Sequence, residues 1–193
     1  MSLIYLLQSK NLVVQANYWS QVLLMNEYQR LRICENLIKC ISTQNVAIFG
    51  LSFKGNINDV RSANSIFLSN YLTYHNLNIN LYDPLVEFKD FLNEIKLSSE
   101  NFLESNHLIN IEKLVTFYND YKECLKGCNT VIFCNDHSIF KKEFNLNNLY
   151  EILEKPAYIF DCYDNYSIKD LKETQFKIFK LGEYTDCFTN KEV

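Results

Sequence analysis

The sequence predicts an α/β fold: an open parallel sheet of about six strands flanked by helices and preceded by one long helix. Three observations predict it. From residue 46 onward, short runs rich in Ile, Val, Phe, Tyr and Leu alternate with segments of helical spacing. Before them, residues 11–42 contain no Pro or Gly and read as a single helix. The chain has 193 residues and is 48% hydrophobic, enough for one packed core and an appendage.

The long helix carries two apolar stripes. Trp19, Leu23, Cys34, Leu37 and Ile41 fall on or near one, and Leu24, Tyr28, Leu31 and Ile38 on the other. Two stripes call for more than one buried face. The helix then lies between two domains or packs against a second chain; the plainer alternative is that it packs on its own domain. Residues 1–44 are therefore expected to form a linking and dimerisation segment, and residues 45–193 the sheet domain.

The expected strands are 46–50, 78–83, 114–118, 130–135, 158–161 and 177–181, each short and apolar, as strands buried on both faces are. Between them, Ala63, Phe67, Tyr71 and Tyr74 share a face of a helix over 62–75. Tyr121 and Leu125 do so over 119–128. Ile139, Phe140, Phe144, Leu149, Ile152 and Leu153 form the apolar set of a helix over 139–154. Asn119 and Ser167 are expected N-caps. The polar stretch 95–112 has no clear period and reads as a surface loop. Strand–helix alternation of this kind gives a Rossmann-like sheet with helices on both faces.

The chemistry concentrates in residues 45–61, NVAIFGLSFKGNINDVR. A strand ends in Gly50, and a loop follows that holds Phe53, Lys54, Asp59 and Arg61. The C-terminal end of such a strand is where open α/β sheets bind ligands. Two fixed positive charges there point to an anionic, phosphate-bearing ligand. The dinucleotide fingerprint GxGxxG is missing, since only Gly50 and Gly55 occur and bulky residues separate them. Asp83 lies too far downstream to serve as the ribose-binding acid and reads as a strand-end Asp-Pro turn. This sheet is thus not expected to hold NAD in the usual way. Lys54, the backbone N–H groups after Gly50 and the helix N-terminus near Ser62 are expected to meet the phosphates.

A formal net charge of −4 argues against a nucleic-acid binder that works by counterion release. No apolar run is long enough to span a bilayer, and no signal peptide is evident, so the expected compartment is the cytoplasm. The seven cysteines, Cys34, Cys40, Cys124, Cys128, Cys134, Cys162 and Cys187, form no CxxC pair and read as small buried hydrophobes. Cys124 and Cys128 stand one helical turn apart, but no histidine pair completes a metal site, so no metal is expected. His137, beside a strand end, reads as a packed or capping residue rather than a general acid.

In combination these residues resemble the C-terminal part of the UDP-glucose dehydrogenase family in its eukaryotic form. The family pattern Gly-x-x-Phe-Lys, then Thr-x-Asp-x-Arg, is met by Gly50-Leu51-Ser52-Phe53-Lys54 and Asp59-Val60-Arg61. Asn26-Glu27-Tyr28-Gln29-Arg30, Leu81-Tyr82-Asp83-Pro84 and Lys155-Pro156-Ala157-Tyr158-Ile159-Phe160-Asp161 match further, in register, from about residue 3 to about 185.

The resemblance implies a UDP-sugar-binding domain, a homodimer through helix 11–42, and an NAD-dependent oxidation of UDP-glucose to UDP-glucuronate. It implies that the NAD-binding domain and the catalytic cysteine lie before this chain, so that the chain alone is inactive and NAD is bound mainly elsewhere. Phe53 and Lys54 are then expected at the sugar nucleotide, Arg61 reaching toward the cofactor, and Asp59 orienting the loop. Three positions depart from the family. Its Asp-Gly-Arg reads Asp161-Cys162-Tyr163, its loop threonine is Ile57, and its Thr-Glu-Trp reads Asn135-Asp136-His137. Tyr163, in place of a substrate arginine, can stack or form one hydrogen bond but cannot neutralise a phosphate. Two alternatives stay open: a non-catalytic nucleotide-sugar-binding or dimerisation module, and the equivalent domain of a dehydrogenase for another nucleotide sugar.

Overall fold

The structure, a computed structural model, describes residues 2–100 and 111–185. The chain divides into two compact units, Met1–Leu37 and Ile38–Val193. Helix α1 (Ser2–Ser9), absent from the sequence expectation, lies in the first and precedes the long helix α2 (Val13–Cys40), whose last turn belongs to the second. Asn11 turns the chain between them at a φ of 55°, and the Leu12 N–H donates to the Leu7 carbonyl at 2.9 Å. On α2, Trp19, Leu23, Leu24, Tyr28 and Leu31 are exposed, so members of both apolar stripes face solvent in the single chain.

The second unit follows the expected alternation. Its elements are β1 (Asn45–Phe49), α3 (Asn64–Tyr74), β2 (Asn78–Tyr82), α4 (Phe88–Glu100), β3 (Val115–Phe117), α5 (Tyr121–Leu125) and β4 (Cys128–Phe133). Then come α6 (Ser138–Glu143), α7 (Leu146–Ile152), β5 (Tyr158–Asp161), α8 (Ile168–Lys172), β6 (Lys177–Lys180) and β7 (Tyr184–Thr185). The strands form one sheet in the order β3-β2-β1-β4-β5-β6-β7. All neighbours pair in parallel except β6 and β7. The short antiparallel β7, turned back at Gly182, is a seventh strand that two residues of pattern could not announce.

Side chains alternate across the sheet. Ala47 and Phe49 of β1 join Val131, Phe133, Ile159 and Ile178 in one core face, closed by Phe140, Phe144 and Leu149 of the region from α6 to α7. Val46 and Ile48, equally buried, point the other way. Being buried on both faces, β4 shows no polar–apolar alternation in exposure.

Several expectations are corrected. The buried side of α3 is Ser65, Ile66, Leu68, Ser69, Leu72 and Thr73, while Phe67 and Tyr71 are half-exposed and Tyr74 is exposed. Counting apolar residues picked the wrong face, because the buried one is rich in hydroxyls. Ser65 donates to the Leu51 carbonyl at 2.8 Å and Thr73 to Ser69 at 2.8 Å, so burial leaves these two groups satisfied. The stretch read as a loop over 95–112 is helical at 95–100, within α4, and again at 111–114; Ile95 and Ile111 are fully buried. Residues 101–110 of that stretch, and Cys187, lie outside the described residues.

The N-cap of α5 is Asp120, whose carboxylate accepts from the Lys122 N–H, rather than Asn119. The expected helix 139–154 is two helices. Asn145 separates them, its side chain accepting from the N–H groups of Asn147 and Asn148 to cap α7. Ser167 does cap α8, accepting from the Asp170 N–H.

Candidate functional site

The strand order reverses between β1 and β4, which creates a crevice beyond their C-terminal ends. Two loops meet there: 50–63 after β1 and 134–137 after β4. Their contact is close. A Cβ on Gly55 would lie 2.4 Å from the backbone carbon of Asp136, and one on Gly50 would strike the Asn135 side chain. Asn135 donates to the Ser52 Oγ at 2.9 Å, and Asn56 accepts from the Ser138 N–H at 3.1 Å and its Oγ at 2.9 Å.

Asp83 and His137 are the buried polar centre of this contact. The Asp83 carboxylate accepts from Leu51 N–H at 2.6 Å, Leu85 N–H at 2.8 Å and Val86 N–H at 2.9 Å. His137 Nδ1 accepts from the Asn56 N–H at 2.7 Å, which makes Nε2 the protonated nitrogen and the donor to Asp83 Oδ2 at 3.1 Å. Burial opposes the charge on Asp83, but the bonds from His137, Leu51 and Leu85 together outweigh it and lower its pKa. The Asp83 turn expected from sequence is present and does more: it ties the end of β2 to the loop after β1. His137 is packed as expected, at the N-cap position of α6, although its side chain does not cap that helix.

This arrangement corrects the part of the expected phosphate site that rested on the backbone N–H groups after Gly50. The N–H of Leu51 is taken by Asp83, that of Phe53 by the Asp59 carbonyl at 2.7 Å, that of Gly55 by the Asp136 carboxylate at 3.0 Å and that of Asn56 by His137. Carboxylates of the protein already occupy anion positions along the loop. The crevice also does not fit an NAD pyrophosphate in the GxGxxG manner, because Asn135 fills the space beside Gly50.

What the loop does present is side chains. The Phe53–Asp59 bond pinches it into a neck, and Phe53 and Lys54 project from one side into solvent. Among the described residues the Lys54 ammonium has no ion-pair partner; it stands 6.0 Å from the Phe53 ring centroid. On the other side Asp59 grips Arg61 through Nε at 2.9 Å, Nη2 at 2.6 Å and the backbone N–H at 3.1 Å. The guanidinium beside it holds the Asp59 carboxyl down to about 2. Asp59 thus holds Arg61, an exposed residue, through its side chain and backbone N–H.

Tyr163 comes from the loop after β5. Its hydroxyl accepts from Asn64 Nδ2 at 2.6 Å, at the start of α3 and three residues past Arg61. Asp161 shapes this second loop, accepting from the N–H groups of Tyr163, Asn165 and Tyr166 at 3.2, 3.0 and 3.0 Å. Buried Lys180 lies beneath it and bonds Asp164 and the Tyr166 carbonyl. Burial pushes the neighbouring Cys162 thiol up to about 12, away from the thiolate form. Phe53, Lys54, Asp59, Arg61 and Tyr163 therefore all stand on loops at the C-terminal edge of the sheet. Asn56, Asn64 and Asn165 were not singled out, and one asparagine among many carries no distinguishing sequence signal; Asn135 stood out only as part of a departure from the family pattern.

A classic-order sheet of parallel strands, a switch-point crevice and a basic loop after the first strand define a doubly wound nucleotide-binding module. Residues 47–167 match the UDP-glucose/GDP-mannose dehydrogenase family, UDP binding domain. The chain belongs to that family. Among curated relatives, the UDP-glucose 6-dehydrogenase of Gallus gallus is 33% identical over 165 residues, 83% of this chain and 32% of that protein. The one from Caenorhabditis elegans is 29% identical over 190 residues, 96% of this chain and 38% of the relative. In fold, the chain is similar to a UDP-glucose dehydrogenase from Pyrobaculum islandicum, with a TM-score of 0.58 and 18% identity over 92% of this chain and 34% of that one. The chain spans about a third of the length of the curated relatives it matches.

Among the described residues, no helix is long and apolar enough to cross a membrane, and no group of three His, Cys, Asp or Glu could hold a metal ion. Cys34, Cys40, Cys124, Cys128 and Cys134 are buried, as small hydrophobes are.

Proposed function

We propose that the sheet domain, residues 45–193, binds the UDP moiety of a UDP-sugar over the 50–61 loop, and that the protein to which it belongs is an NAD-dependent UDP-glucose 6-dehydrogenase of the cytoplasm. In this reading Phe53 packs on the sugar nucleotide and Lys54 meets its diphosphate as a point charge. Arg61, already oriented by Asp59, faces the cofactor, which is held mainly by a domain outside this chain. The observation that carries the reading is the Lys54 ammonium, without an ion-pair partner among the described residues, on a loop whose backbone N–H groups are held at four positions. Relatives named UDP-glucose 6-dehydrogenase support the choice of sugar.

The test is calorimetric titration of the chain with UDP-glucose. Saturable binding that weakens about tenfold in Lys54→Ala is expected, since a charge-assisted bond is lost. Binding unchanged in that variant would remove Lys54 from the site. Purified alone with UDP-glucose and NAD, the chain is expected to produce no NADH, and production of NADH would contradict the division of labour.

Residues 1–44 act in this reading as the linking and dimerising segment. The exposed Leu24 and Leu31 support a second copy as the partner. Replacing both with lysine is expected to give a monomer by sedimentation, and an unchanged dimer would put the interface elsewhere. A second reading, a non-catalytic nucleotide-sugar-binding module, is favoured by one observation only. Tyr163, in the place of a substrate arginine, already spends its hydroxyl on Asn64.

A further inference from the structure

We propose that His137 is a positioning residue for the UDP-sugar loop, and that it makes sugar-nucleotide affinity in this protein acid-sensitive. The proposal rests on the reading above that residues 50–61 meet the UDP-sugar.

The geometry carries it. The 1%-exposed imidazole joins three segments: Asn56 of the loop through Nδ1 at 2.7 Å, Asp83 at the end of β2 through Nε2 at 3.1 Å, and its own turn into α6. Ser52 Oγ lies 3.4 Å from Nε2 and the Phe140 ring meets the imidazole edge-on. The charged group in contact with it is Asp83; the neighbouring Asp136 carboxylate is turned to the Gly55 N–H. Asn56, at a φ of 62°, has its backbone N–H held by the imidazole and its side chain held by Ser138. The segment carrying Phe53 and Lys54 is thus fastened at its far end by an acceptor that exists only on a neutral histidine.

A second proton on His137 falls on Nδ1 and sets donor against donor at Asn56. The same proton strengthens the bond to Asp83, whose carboxylate is fixed by three N–H groups. The imidazole therefore stays with Asp83 and the loop gives way. The segment carrying Phe53 and Lys54 loses this fastening at Asn56 N–H, while the Gly55–Asp136 and Asn56–Ser138 bonds do not depend on the imidazole.

The experiment uses the full chain and UDP-glucose, whose diphosphate diester does not itself titrate in this range. Imidazole nitrogen shifts, Asn56 amide exchange and UDP-glucose affinity are followed by NMR from about pH 8 to about pH 5. The expected result is the Nε2–H tautomer at neutral pH. Asn56 protection and affinity then fall together toward acid, by about tenfold.

His137→Asn places a carbonyl oxygen near the Nδ1 position; it is expected to bind within about threefold of wild type and to lose the acid dependence. His137→Gln reaches Asp83 but not Asn56 and is expected to bind about tenfold more weakly at every pH. A resting Nδ1–H tautomer, an Asn56 amide indifferent to pH, or wild-type acid dependence in His137→Asn would overturn the proposal. Should either variant fail to fold, the wild-type titration decides alone. Absence of UDP-glucose binding at any pH would sink the UDP-sugar reading, and the Asn56 exchange profile would still judge whether His137 holds the loop.

Discussion

Gly50 and Asn135 exclude each other's side chains: a Cβ on Gly50 would stand 2.2 Å from Asn135 Oδ1, inside the distance any two such atoms adopt. The two residues cap adjacent parallel strands, β1 and β4, at the point where the sheet reverses its winding. A glycine in a nucleotide fold commonly makes room for a phosphate. Here the room is occupied by an amide that donates to Ser52 Oγ and accepts from the His137 N–H at 3.4 Å. Asn135 thus fills the space beside Gly50, and the exposed side chains of this loop, Phe53, Lys54 and Arg61, stand outside it.

Gly50→Ala is expected to destabilise the sheet domain by about 2–5 kcal/mol, the sum of left-handed strain at a φ of +86° and an overpacked contact. Gly182→Ala has the same kind of φ, +78°, but no atom within 4 Å of the added Cβ, and should cost only about 1–2 kcal/mol. Urea unfolding of both variants separates the effects. Equal losses would mean that Asn135 yields freely.

Asp83 gives the sheet domain an acid-labile share of its stability. Its native pKa lies below the ordinary 3.8. Its contribution is therefore complete above the unfolded-state value and is lost as pH falls through the native one. Asp83→Asn offers one acceptor oxygen where the carboxylate offers two, and turns an NH2 toward either the Leu51 or the Leu85 and Val86 donors. The variant is expected to lose about 2–4 kcal/mol near neutral pH and to show a shallower stability loss below about pH 4. A parallel pH profile in wild type and variant would show that other carboxylates dominate.

Lys180 is 3% exposed and balances buried Asp161. Burial disfavours its charge, but Asp164, Asp161 and Glu183 together outweigh that and raise its pKa. Lys180→Met keeps the volume and strands Asp161, so a loss of about 3–5 kcal/mol is expected. Thermal unfolding measures it. A loss under about 1 kcal/mol would show that the Asp161 hydrogen bonds from Tyr163, Asn165 and Tyr166 suffice by themselves.

Tyr163→Arg returns a cation to the edge of the proposed site. UDP-glucose affinity is expected to rise about tenfold, whereas Tyr163→Phe should change it less than about threefold. Calorimetry on the chain reads both. No gain from arginine would mean that the loop after β5 lies off the path of the diphosphate.

Periodicity and composition were enough for the order of the six strands β1–β6, because a strand buried on both faces must be a short apolar run, and a run such as Val131–Phe133 has no other economical place. Phe53, Lys54 and Arg61 stood out likewise, since a charge or aromatic in a loop is conspicuous against an apolar strand, whereas Tyr163 was marked only by the family resemblance. Hydrogen bonding between distant loops leaves no such trace. Asp83 meets Leu51 across 32 residues and His137 meets Asn56 across 81, and each partner is an ordinary polar residue in its own neighbourhood. The same holds for the hydroxyl-rich buried face of α3, where Ser65 and Thr73 are satisfied by backbone carbonyls. Local pattern fixed which residues stand at the sheet edge. Packing across the switch point settled that the loop's N–H groups serve the protein's own carboxylates and imidazole, because buried donors must be paired and these acceptors come within reach only when β1, β2 and β4 lie side by side.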